Sequence, residues 1–163
     1  MSSPNPYAPP ASHVADVRTV EASPPLWNPR VAANWSLLFS PVFGALVQMK
    51  NWEALGESAR AQKSKNWAIG CMAFFFALTI LLVLLPDSKA LDGLTRPLAV
   101  VLLVVWYYAD GKSQQAYVLG KFGKTYPKKG WGKPLLIGVA ALIGFIVVMA
   151  VFGFILGAIT GAV

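Results

Sequence analysis

Residues 67–85 read WAIGCMAFFFALTILLVLL, nineteen residues without a charge. A helix rises 1.5 Å per residue, so this run covers about 28 Å, close to the hydrocarbon thickness of a bilayer. Pro86-Asp87 follows at once, as a proline stop should. The stretch predicts a transmembrane helix and sets the frame for its neighbours.

Three more apolar stretches flank it. Residues 134–163 carry no charge over thirty positions and span with tilt as a helix over about 134–160. Residues 97–109, PLAVVLLVVWYYA, are strictly apolar for only thirteen positions. A helix over about 91–110 reaches spanning length there, with Asp92 and Arg96 four apart on one face at its outer end. Residues 31–49 are uncharged but hold Asn34, Ser36, Ser40 and Gln48, and Pro41 interrupts them. The run Pro41-Val42-Phe43-Gly44 predicts a kink or break, with Pro41 and Gly44 as its residues. The segment is therefore either re-entrant or a kinked span. The fold expected is an all-α membrane domain over residues 31–163, with three transmembrane helices, this fourth segment, and a short amphipathic helix near 51–63.

Composition agrees. Of 163 residues, 56% are hydrophobic and 13% charged, about half the charge of a soluble domain. Residues 1–30 are different: they hold seven of the twelve prolines and little apolar surface. They predict a disordered tail without the apolar core of a signal peptide.

The net charge of +7 is unevenly placed. Residues 50–66 carry four Lys/Arg, and residues 110–133 carry six Lys. Lys- and Arg-rich loops stay in the cytoplasm. Loops 50–66 and 110–133 are thus expected inside, and 86–96 and the C-terminus outside. If 31–49 spans, the tail lies outside and positives divide 10 against 4; if it does not, the tail lies inside and they divide 12 against 2.

The 110–133 loop interleaves Lys121, Lys124, Lys128, Lys129 and Lys133 with Phe122, Tyr126 and Trp131. That pattern suits anionic lipid headgroups. It equally suits a topology determinant without a ligand. Nucleic acid is not an expected partner, since a tethered loop of this size forms no reader fold. Gly123-Lys124-Thr125 resembles the end of a phosphate loop, but position 118 is Val where the pattern needs Gly, and no strand precedes it. Trp35, Trp52, Trp67, Trp106 and Trp131 sit at segment edges, three of them in Asn-Trp pairs, as in an interfacial aromatic belt.

Gly153, Gly157 and Gly161 are spaced by four in the last segment. Small residues so placed let helix backbones approach in lipid. They mark a face for self-association, for a membrane-protein partner, or for packing on the chain's own helices. One His (His13) and one Cys (Cys71) leave no metal or catalytic constellation to assemble, so no cofactor is expected and the chain reads as non-enzymatic. Asp110 is placed at the interfacial end of its segment. The functions this supports are contact with a membrane partner, a small channel or transporter subunit built on the last helix, or a scaffold that gathers anionic lipid.

Two blocks carry a resemblance. WNPRVAANWSLLFSPVFGALVQMKNWEALGESARAQKSKNW (27–67) and QQAYVLGKFGKTYPKKGWGKPLLIG (114–138) are similar to blocks of small multi-pass proteins of the bacterial inner membrane. Some of those proteins are encoded beside secreted antibacterial toxins. The resemblance implies an inner-membrane location and an immunity role.

Overall fold

The computed structural model describes residues 22–85 and 88–161, which are helical with no strand among them. Helix α1 covers Pro29–Phe39, α2 Pro41–Ala54, α3 Ser58–Leu84, α4 Lys89–Phe122 and α5 Gly132–Thr160. Helices α3, α4 and α5 are long and apolar enough to cross a membrane. The all-α architecture with three such helices is the one the apolar runs predict.

Two of these helices extend well past their apolar runs. α3 begins at Ser58 rather than 67, because SARAQKSKN is built of good helix formers. α4 runs to Phe122 rather than 110, through KSQQAYVLGKF. Much of each expected basic loop is therefore helix, and the true loop begins at Gly123. The helix expected near 51–63 does not form as one piece. Gly56, at φ 73°, turns the chain between α2 and α3.

The segment 31–49 is a helical hairpin. Pro41 has no N–H and bars its predecessor from helical geometry. Ser40 accordingly sits at φ 91°, ψ 163°, the one non-glycine residue with positive φ among those described. It ends α1 by donating its N–H to the Ser36 carbonyl, and Pro41 opens α2. The feet of the hairpin meet. The Trp27 N–H donates to Asn51 Oδ1 at 3.0 Å, and Asn51 Nδ2 donates to the Trp27 carbonyl at 2.8 Å. At the tip, the rings of Phe39 and Phe43 lie 5.0 Å apart and pack on Gly138. Gly138 is six residues into α5, so the tip reaches only about 9 Å along that helix. Arms of 11 and 14 residues start and finish at one end, so the segment is a hairpin and not a single kinked helix of spanning length.

Gly44 is not part of the break. It lies inside α2, where a Cβ would run into Ser36 Oγ and the Trp106 ring. Its role is close approach of three helices.

The expected tail also needs correction. Residues 1–21, with His13, lie outside the described residues, as does Val163. Residues 23–29 are buried or half-buried apart from Pro25. Pro24 and Pro25 hold the chain extended, which suits pairing with the 123–131 loop. Leu26 N–H donates to the Pro127 carbonyl at 3.0 Å, and Lys129 N–H donates to the Leu26 carbonyl at 2.8 Å. The Leu26 side chain is fully buried against Val118, Phe122 and Tyr126. Residues 22–28 thus share one end of the bundle with the basic loop.

Candidate functional site

The buried polar groups gather where α2, α3 and α4 meet. α2 presents Gly44, Gln48 and Asn51, at i, i+4 and i+7, on one buried face. α4 answers in the same direction with Trp106, Gly111 and Gln114. Trp106 packs over Gly44. Gln48 Nε2 donates to the Gly111 carbonyl at 2.9 Å, and Gln114 Nε2 donates to the Gln48 carbonyl at 2.9 Å. Asn51 Nδ2 also donates to Gln114 Oε1 at 3.0 Å. Gln48, Asn51 and Gln114 are fully buried, and each is held by at least two such bonds.

A π-turn over Tyr107–Gly111 makes this register possible. One extra residue in the turn widens the helix and turns carbonyls away from their usual donors. Side chains meet two of them: Gln48 at Gly111, and Lys63, whose Nζ donates to the Ala109 carbonyl at 2.8 Å. The turn also swings Asp110 inward. Its carboxyl is 3% exposed, accepts from Ser64 Oγ at 2.7 Å and lies 3.3 Å from Lys63 Nζ. Asp110 is therefore a buried, paired carboxylate on the α3 side of the bundle and lies within a continuous helix rather than at a helix end. α3 meets it with small residues, Ala61, Ser64, Ala68 and Cys71, which keep the helices close.

A second layer lies outward of this seam. Tyr117 Oη donates to Glu57 Oε1 at 2.7 Å, and the Arg60 guanidinium covers the rings of Trp52 and Tyr117 at 4.9 and 4.6 Å. Gln48 Oε1, Trp52 Nε1 and Trp106 Nε1 are buried without a hydrogen bond inside the protein.

The basic loop is partly committed to structure. Lys128 lies opposite Leu26 in the backbone pairing made by the Pro127 carbonyl and the Lys129 N–H, and Lys129 Nζ sits 4.4 Å over the Trp27 ring. Lys121 lies over Tyr117 and Phe122, and Lys128 over Tyr126. Lys124 and Lys133 are exposed, and Trp131 is half-buried at the start of α5. Burial pushes the Tyr126 hydroxyl above its ordinary range. The lysines thus ring one end of the bundle rather than converging on one point.

The three glycines of α5 separate by role. A Cβ on Gly153 would meet Val83 of α3 at 3.7 Å, an ordinary contact, so this position faces the chain's own helix. Gly157 is buried. Gly161 is exposed, left-handed at φ 72°, and ends the helix by donating its N–H to the Gly157 carbonyl. It terminates the helix.

Residue spacing alone left the Gln48–Asn51–Gln114 ladder unseen. The available signal was two amides three apart, Gln48 and Asn51, astride the boundary between the uncharged segment and the basic loop. Comparison with known proteins finds no match: no family model, no curated protein and no solved structure is similar to the chain.

Proposed function

We propose that this chain is a non-enzymatic protein of the bacterial inner membrane that holds another membrane protein by helix-to-helix contact, in the specific form of immunity to a secreted, membrane-active toxin. One observation carries the contact reading. The re-entrant hairpin is fixed at its feet by Asn51, yet α1 leaves Leu37 and Leu38 70% exposed at its inner end. A rigidly mounted helix with two large uncovered apolar side chains is a platform for a partner helix. The immunity form rests on the resemblance of residues 27–67 and 114–138. The lysine-rich loops support a cytoplasmic position for the hairpin feet, residues 22–28 and the 123–131 loop.

Survival tests it. Cells making the toxin encoded beside this chain's gene should live when the chain is present and die without it. Leu38→Arg and Gly157→Leu should each abolish protection while the protein still inserts. Survival with both variants, or a neighbouring gene that encodes no toxin, overturns the reading.

Asp110 favours a second reading. Carboxylates held inside a membrane bundle mark ion pathways, and this one lies beside a broken helix pair. In that case the chain is a channel or transporter subunit. Purified protein should then conduct in a planar bilayer, and Asp110→Asn should lower the conductance at least tenfold.

A further inference from the structure

A groove of about 520 Å³ opens between α1 and α4. Along α1 it is lined by Arg30, Asn34 and Leu37; along α4 by Gln115, Tyr108 and Val104, with Leu103 beside it. The two helices run in opposite senses, since α1 descends from the hairpin feet while α4 climbs toward them. Both linings therefore change in the same direction. At the level of the feet they offer a guanidinium and amides; about 10 Å deeper they offer aliphatic and aromatic groups, Leu37, Leu103 and Val104 with the rings of Trp106 and Tyr107. Arg30 is exposed and has no acidic partner among the described residues. The same holds for Lys112, one turn beyond Tyr108, whose ring it covers at 5.8 Å.

We propose that this groove binds one anionic phospholipid of the leaflet that faces the hairpin feet. An acyl chain lies against Leu37, Leu103 and Val104. The phosphate sits between Arg30 and Lys112, and Asn34 and Gln115 offer amide hydrogens to its oxygens. Charge complementarity selects this occupant. Two cations without counter-anions among the described residues favour an anionic over a zwitterionic lipid. A partner helix would instead lay apolar side chains against Arg30 and Asn34, which the polar half of the groove disfavours. The size is that of a small-ligand site.

Native mass spectrometry of the intact chain in mild detergent tests this, with phosphatidylglycerol and phosphatidylcholine of identical acyl chains offered together. Wild type should retain one lipid and prefer phosphatidylglycerol by on the order of thirtyfold. The double variant Arg30→Gln/Lys112→Gln should bring the two lipids within about threefold of each other. Lys124→Gln/Lys133→Gln removes as much charge away from the groove and should leave the preference intact. Val104→Trp fills the apolar half and should cut retention of both lipids about tenfold; Val104 is half-exposed, so the larger ring faces outward and the fold tolerates it. Equal retention of the two lipids by wild type overturns the proposal. So does a preference that survives the Arg30/Lys112 change or disappears with Lys124/Lys133, and so does undiminished retention in Val104→Trp.

Discussion

The two ends of the bundle are held together by different forces. At the end that carries the hairpin feet, Gln48, Asn51, Ser64, Asp110 and Gln114 are all buried and all hydrogen-bonded. At the other end α3, α4 and α5 meet through aliphatic and phenyl groups, with Phe75 and Phe76 edge-on to Phe145. Most side chains of α5 there are exposed, Phe154 and Ile159 by 68% and 76%. Lipid tails are as apolar as leucine, so that end gains nothing from the hydrophobic effect between helices and relies on van der Waals contact. The polar end is locked by directional bonds. Rigidity is thus built where the lysines, the feet of the helical hairpin and the open groove are.

The largest expected break in this contrast is at Gly44. Gly44→Val drives its methyls into Ser36 and Trp106 and forces three helices apart. Unfolding in detergent by denaturant titration should show a loss of about 3 kcal/mol, the upper part of the overpacking range. Gly70, inside α3 with nothing within 4 Å of an added Cβ, provides the control, and Gly70→Ala should be neutral or slightly stabilising.

Asn51→Ala comes next. It removes three hydrogen bonds at once and leaves the Trp27 N–H and carbonyl and Gln114 Oε1 without Asn51. About 2 kcal/mol should be lost. Residues 22–30 should also become cleavable by protease, because the hairpin foot holds them. A protected segment in this variant would show that Leu26 in its pocket is sufficient alone.

These two sites show what the chain's spelling reveals and what it hides. The three long helices follow from uncharged runs such as 67–85 and 134–163, because bilayer thickness converts run length directly into a span. The break at Ser40-Pro41 follows from proline chemistry. The closing of the hairpin does not, since it depends on Asn51 closing onto Trp27 across 24 positions. The inward turn of Asp110 depends on a π-turn that adds one residue to the helix, and no periodicity announces it. Prolines 24 and 25 suggest disorder by composition, yet they hold the extended geometry that pairs Leu26 with the loop. Gly161 sits at packing spacing but ends the helix. Identity at a spacing is legible; which partner comes to meet it is a tertiary fact.

A smaller effect is expected from the ion pair. Lys63→Ala leaves Asp110 with Ser64 as its one side-chain donor, but Lys63 is itself 54% exposed and screened. A loss of about 1 kcal/mol should result, far below the cost of stranding a fully buried charge. Lys63→Ala combined with Asp110→Asn should recover most of it, because a neutral amide no longer needs the cation. Additive losses in the double variant would mean that Lys63 acts through the Ala109 carbonyl rather than through the carboxylate.

The smallest effect is the most informative about the apolar end. Phe154 is as large as the buried aromatics of the seam, and area alone would assign Phe154→Ala a cost of several kcal/mol. That arithmetic assumes the ring leaves water on folding. Phe154, 68% exposed in the folded chain, faces lipid or detergent before and after the helices associate. Its truncation should therefore change unfolding in detergent by less than about 0.5 kcal/mol, while Trp106→Ala, fully buried over Gly44, should cost about 3. A Phe154→Ala loss above about 1.5 kcal/mol that fades on dilution would require a second copy of the chain over this face. The apolar end would then be an interface, and the contrast between the two ends would be one of partner rather than of force.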